Sequence, residues 1–266
     1  MLLSMNYSLD PRTVSRFRRT ALLDIDPGFL QNWIMERQIG VAEYDYYFTI
    51  GETVGQADSR IPDCGRKWEY TSPAVFLPSW PVSPAGRASA YTTVSGWWIG
   101  WDQWNGEIVD NRKRTAFLRI LGLPSLTAVP LELALDLGAD NAGEVASLES
   151  NGWRVRDGTE VSASPELYRQ YIQQSRGEFS CAKTSYVSLD TAWVSDRTIC
   201  YLASGKPAVV EHTGRSRFLP DSEGLFRFRS AEDAARCLER AAADYGHHGR
   251  LARALAWHRS ISTRLS

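Results

Sequence analysis

SRGEFSCAKTSYVSLDTAWVSDRTICYLASGKPAVVEHTG, residues 175–214, reads as strand, loop, helix, strand and loop, and the rest of the chain is read around it. Ser195 suits an N-cap, because its hydroxyl accepts an orphan N–H of the first turn, and Asp196 adds an acid there. Ile199, Cys200, Leu202 and Ala203 supply a buried face. Gly205 fits the left-handed position after the last turn, Lys206 complements the negative helix end, and Pro207 stops the helix. A short buried strand, Ala208 to Val210, then runs into the polar loop Glu211, His212, Thr213, Gly214.

An open parallel sheet binds ligands outside the carboxyl ends of its strands. Two such ends are expected here, after Phe179 to Ala182 and after Val210, with the start of the Ser195 helix opening on the same side. Free N–H donors and partial positive charge at that start suit a phosphate or diphosphate. Arg197 offers a forked cationic contact and Lys183 a point charge. An ordinary capped helix with an Asp196–Arg197 surface pair fits the same residues equally well.

The chain has 266 residues, long enough for one large or two moderate domains, with 30 Lys and Arg against 31 Asp and Glu. No basic excess points to nucleic acid. Cys64, Cys181, Cys200 and Cys237 lie far apart without a C-x-x-C pair, which favours free thiols over zinc or disulfides. With four histidines and no partnering cysteine, no metal site is expected. The N-terminus carries no apolar run long enough for a signal peptide or membrane span, so a cytoplasmic protein is expected.

Ala21 to Ile25 reads as a strand whose neighbours the preceding residues hardly provide. A helix follows from Pro27 to about Val41, then a strand from Tyr46 to Ile50. Residues from about Ile61 to Ala90 are rich in proline and aromatics and look like a crossing segment, with a boundary near residue 88. Beyond it come strands at Tyr91–Ser95, Ala128–Asp136, Trp153–Arg156 and Leu225–Phe228. Helices are expected over Asn111–Leu121, Asn141–Asn151, Pro165–Ser175 and Ala231–Tyr245, with one more at the end. Strands alternating with helices predict an α/β chain with a doubly wound parallel sheet, the more complete unit lying over residues 89–266 and the less complete one over residues 1–88.

Trp97, Trp98, Trp101 and Trp104 follow the first strand of the second unit. Indoles stack on sugars and bases, but a hydrophobic plug explains most of them, leaving Trp98 or Trp97 to face a ligand. Glu178 is the main acid for ribose or sugar hydroxyls, unless it merely pairs with Arg176. Asp24, Glu52 and His212 are candidate catalytic groups, and no spacing pairs them. Walker, G-x-S-x-G, H-E-x-x-H and G-x-G-x-x-G patterns are absent.

Ordered along the chain, DIDPGFLQ, YYFTIGETVG, YTTVSGWW, DNRKRTAFL, VPLELAL, SRGEFSCAK, AWVSDRTICYLASGKPAVVEHTG and RFLPDSEGLFRFRSAEDAARCLE resemble a family of bacterial glycosyltransferases of GT-B type. The resemblance implies two Rossmann-like domains, acceptor on the N-terminal side and nucleotide sugar on the C-terminal side. It matches Ser195, Asp196 and Arg197 to the helix start facing the donor, Thr213 and Gly214 to the loop beside it, and Ser95 and Gly96 to the turn after the first donor-domain strand. Glu178 and Lys183 fall near the donor. Relative to that family most of the N-terminal Rossmann half is missing, which would leave apolar surface around Ile25, Phe29 and Trp33 open to self-association.

The expected function is therefore transfer of a sugar from a nucleotide diphosphate sugar to an unidentified acceptor, without cofactor or required metal. The alternative is a non-catalytic fragment or diverged nucleotide-sugar-binding module of the same fold. An epimerase on this architecture is a weaker third reading.

Overall fold

The computed structural model describes residues 1–86, 89–98, 100–104, 107–138 and 141–258, with only the backbone of 101–104 and of 258. Its strands are β1 (Leu2–Ser4), β2 (Thr20–Asp24), β3 (Tyr46–Thr49), β4 (Trp68–Tyr70), β5 (Tyr91–Gly96), β6 (Trp101–Trp104), β7 (Glu107–Asp110), β8 (Leu131–Asp136), β9 (Arg154–Asp157), β10 (Gly177–Ser180), β11 (Ala208–Glu211) and β12 (Leu225–Phe228). The helices are α1 (Pro11–Val14), α2 (Phe29–Met35), α3 (Lys113–Leu118), α4 (Ala142–Ser150), α5 (Gly158–Val161), α6 (Pro165–Gln174), α7 (Thr184–Ser188), α8 (Asp196–Ala203), α9 (Ala231–Ala243) and α10 (Tyr245–His258).

Two parallel sheets result. The larger has the order β12-β11-β10-β5-β8-β9, so the chain builds outward from β5 in one direction, returns to β10 and builds outward in the other. This is the doubly wound Rossmann order, with its switch point between β5 and β10. β10 and β11 are central and covered on both faces: β11 meets this with the apolar run Ala208 to Val210, whereas β10 buries Phe179 together with the hydrogen-bonded Glu178 and Ser180. Tyr91, Phe179, Val209 and Phe228 join Trp97, Phe117 and Trp153 in one core, with Phe179 stacked on Phe228 at 5.3 Å. Gly177 is required there, because an added Cβ would lie 2.3 Å from the Tyr91 ring and 2.4 Å from the Pro207 carbonyl oxygen.

α8 forms as its caps dictate. Ser195 Oγ accepts from Arg197 N–H at 3.2 Å, and Gly205 at φ +70° closes a Schellman motif: Lys206 N–H donates to Tyr201 O and Gly205 N–H to Leu202 O, both at 3.0 Å. Tyr201 is buried on this helix, whereas Cys200 is only half-buried, a shift of one position from the expected face.

The smaller sheet, in the order β1-β2-β3-β4, is also all parallel. β2 is not the isolated strand expected: Leu2, Leu3 and Ser4 pair with Thr20, Ala21 and Leu22, and Ile34, Tyr47 and Trp68 pack with Leu22 and Leu30 on one core. β4 lies inside the supposed crossing segment, where a three-residue strand leaves no periodicity to read. α2 is shorter than expected because Gly28, at φ +90°, precedes it and Arg37, at φ +56°, turns the chain away after it. β10 likewise begins and ends two residues before the range expected for it.

Candidate functional site

The carboxyl ends of β5 and β10 lie side by side at the switch point, with α3, α7 and α8 opening around them. α3 brings in Lys113, which carries no recognisable motif. Its Nζ donates to the carbonyl of Cys181, directly after β10, and lies 6.0 Å from the Trp193 ring centroid. Burial, followed by the nearby charge of Arg197 and then Lys183, pulls the Lys113 ammonium down to about 7. A cation held under that strain gains most from an arriving anion.

Lys183 stands at the start of α7, half-buried, 3.4 Å from Asp26 Oδ1 and 4.4 Å above the Phe29 ring. Tyr186 OH donates to the same Asp26 oxygen at 3.1 Å. Helix α7 is thereby tied to the loop between β2 and α2. A second tie lies farther along. Glu52 accepts from Ser216 Oγ at 2.6 Å, from Arg217 N–H at 2.7 Å and from Arg217 Nε at 3.1 Å, and Tyr70 stacks on Phe218 at 4.5 Å.

The candidates from sequence fall into different places. Arg197 does not reach outward: its Nε donates to Glu178 Oε1 at 3.0 Å and its NH1 to Val94 O at 2.8 Å, under β5 and β10. Glu178 is fully buried and also accepts from Ser180 Oγ, so its partner is Arg197 and neither Arg176 nor a ribose. Asp196 accepts from Arg197 N–H and Ser195 Oγ as part of the cap, and no Asp196–Arg197 surface pair forms. Ser195 remains at the helix start facing the crevice, beside Ser180, Ala182 and Trp193. Ser95 and Gly96 end β5, with Ser95 Oγ donating to Gly96 O.

Thr213 and Gly214 hold the loop before α8. Thr213 Oγ1 donates to Trp193 O at 2.7 Å, Ala192 N–H donates to Thr213 O at 2.7 Å, and Gly214, at φ +115°, leaves no room for a Cβ against Asp190 O. That loop carries Asp190 and Ala192 at φ +48° and +54°, so its conformation is fixed from outside.

Asp24 is enclosed: Tyr7 OH, Gln31 Nε2, Thr49 Oγ1 and Asp26 N–H all donate to it, and burial pushes its carboxyl up. His212 faces Arg229 through Nε2 at 2.8 Å and Gly214 N–H through Nδ1 at 3.0 Å; burial and then Arg229 lower its pKa. Glu52 belongs to the tie described above. Trp97 is a core residue, whereas Trp98 is 40% exposed, donates to Leu137 O at 2.9 Å and has Arg114 over its ring at 5.4 Å. The side chains of Trp101 and Trp104 lie outside the described residues. Of the apolar group Ile25, Phe29 and Trp33, Ile25 is exposed, while Phe29 is covered edge-on by Tyr186.

Three cavities adjoin these elements. One of about 390 Å³ opens between the ends of β8 and β9, lined by Leu137, Asn141, Val155 and Asp157 among others. Nearby, Gly158 lets the start of α5 lie close on β8, since a Cβ there would meet the β8 backbone at 2.7 Å. A second, of about 410 Å³, lies between the two sheets and is lined by Glu52, Asp58, Arg60, Asp190, Arg215 and Arg217. A third, about 70 Å³, lies beneath Phe29 and Leu189. Among the described residues no cluster of three or more His, Cys, Asp or Glu side chains is placed to hold a metal, and no helix is long and apolar enough to cross a membrane.

No family model and no curated protein matches the chain in sequence. Solved structures do match in fold. HepE of Anabaena in complex with UDP-glucose superposes with a TM-score of 0.56 at 11% identity, over 91% of this chain and 68% of that one. An alpha-glucosyltransferase in complex with UDP gives 0.55 at 10% identity, over 95% and 73%. TarM gives 0.50 at 10% identity, over 89% of this chain and 51% of its own, so this chain spans about half of TarM's length. The shared architecture is the GT-B fold of glycosyltransferases, with its Rossmann-like parallel sheets.

Proposed function

We propose that this chain binds a nucleotide diphosphate sugar in the crevice at the β5–β10 switch point and takes part in glycosyl transfer to an acceptor entering between the two sheets. The observation that carries this is Lys113, a half-buried cation held at the carboxyl end of β10 with Lys183 and the start of α8 around it. These groups suit a diphosphate and supply the charge that a departing diphosphate needs, which makes a metal unnecessary. The nucleoside fits the cavity between β8 and β9, where Leu137, Val145 and Val155 give a base apolar contact. The solved relatives with UDP or UDP-glucose support uridine as the base.

Calorimetric titration with UDP, GDP and dTDP, with and without divalent metal, tests this reading. Saturable metal-independent binding lost in Lys113→Met supports it; a folded chain that binds none of the three sinks it.

A second reading, a nucleotide-sugar-binding module without transfer activity, is favoured by a specific observation. Asp24, Glu52 and His212 are all engaged in bonds that hold the fold together. Binding without turnover against a panel of acceptors would select it.

A further inference from the structure

Asn111 and Ser185 line the cavity of about 70 Å³ between the sheets, together with Gly28, Phe29, Val109 and Leu189. Asn111 is fully buried, and its Oδ1 accepts from Ser185 N–H at 2.8 Å. Among the described residues its Nδ2 has no partner, and neither has the buried Ser185 Oγ. An unmade hydrogen bond at such a depth costs about 1–3 kcal/mol, so two of them beside an open space indicate that something is meant to enter. Water is a poor occupant: the space holds more than one molecule, each wanting about 2–4 polar partners, and most of the wall is carbon. The occupant that matches has a small apolar end, one hydrogen-bond acceptor and one donor.

Position narrows it further. Asn111 is two residues before Lys113, and Ser185 two after Lys183. The two segments that present cations to the diphosphate therefore also present these two polar groups. Around a sugar ring, the C2 substituent lies next to the anomeric carbon that carries the diphosphate.

We propose that this cavity receives the acetamido group of a 2-acetamido sugar. Asn111 Nδ2 donates to the acyl oxygen, Ser185 Oγ accepts from the amide N–H, and the methyl group packs on Phe29, Val109 and Leu189. This rests on the nucleotide-sugar reading above.

The full chain is titrated with UDP, UDP-glucose and UDP-N-acetylglucosamine. The expected result is at least tenfold tighter binding of the acetamido sugar than of glucose. Asn111→Asp keeps the acceptor for Ser185 N–H while removing the donor, and brings that ratio to about one. Val109→Phe fills the space and disfavours the acetamido sugar while UDP-glucose still binds. If UDP binds but the wild type holds both sugars equally, the acetamido subsite is wrong and the donor reading stands. If folded protein binds no UDP, both fall together.

Discussion

Arg197 turns its guanidinium inward onto Glu178, Nε to Oε1 at 3.0 Å, with 13% of the arginine side chain and none of the glutamate exposed. This pair locks the first turn of α8 to the middle of β10, and its NH1 contact to Val94 O extends the lock to β5. Removing one partner strands the other charge in the core. Arg197→Ala is therefore expected to cost about 3–5 kcal/mol of stability, read by chemical denaturation, whereas the double variant Glu178→Leu with Arg197→Met recovers most of it. An Arg197→Ala protein as stable as the parent would mean that the pair is not buried in solution.

Lys113 is the cation predicted to act on ligand. With a folded value near 7 against an unfolded value near 10.5, the unfolded chain holds one more proton between those pH values. Stability contributed by this site therefore rises as pH climbs from about 7 to 10.5, and the penalty for burying the charge is fully present below 7. Nucleotide affinity runs the opposite way, since a diphosphate needs the protonated form: it is expected to fall as pH rises above 7, by at most tenfold per pH unit. In Lys113→Met the lysine-dependent slope disappears. Titrations at pH 6, 7, 8 and 9 check this, and a flat wild-type profile would remove Lys113 from the site.

Glu52 fastens the loop after β3 to the segment after β11. Glu52→Ala loses three hydrogen bonds, one from a charged arginine, and is expected to speed amide hydrogen exchange over residues 213–219 and 70–72 while β10 and β11 keep their protection. Uniform acceleration across the larger sheet would show global destabilisation in place of a local tie.

Two glycines separate close packing from chain entropy. Gly177→Ala drives a methyl into the Tyr91 ring and the Pro207 carbonyl and is expected to lower stability by about 2–3 kcal/mol. Gly122, at φ −78° with nothing within 4 Å of its would-be Cβ, should accept alanine with a gain of about 0.4–1 kcal/mol. Thermal unfolding of the two variants checks both signs.

Much of the architecture of the larger sheet was legible along the chain. Ser195, Gly205 and Pro207 mark α8 because capping is local chemistry between residues a few positions apart. The run from Ala208 to Val210 marks a central strand because burial on both faces favours apolar residues there. β1 and β4, at three residues each, were not legible, since too few side chains exist to show a period.

What the sequence by itself determined was the alternation of strands and helices and the stretch on which the crevice is built. Which charges face that crevice was decided only by the tertiary structure. Arg197 and Lys113 are both cations near helix starts, and nothing in their neighbours along the chain ranks them. Folding sets Arg197 over the buried carboxylate of Glu178, where a charge must be paired, and sets Lys113 against the Cys181 carbonyl and the Trp193 ring. Such pairing depends on which strands become neighbours, and β5 and β10 meet across eighty residues of intervening chain because the order of the sheet reverses there.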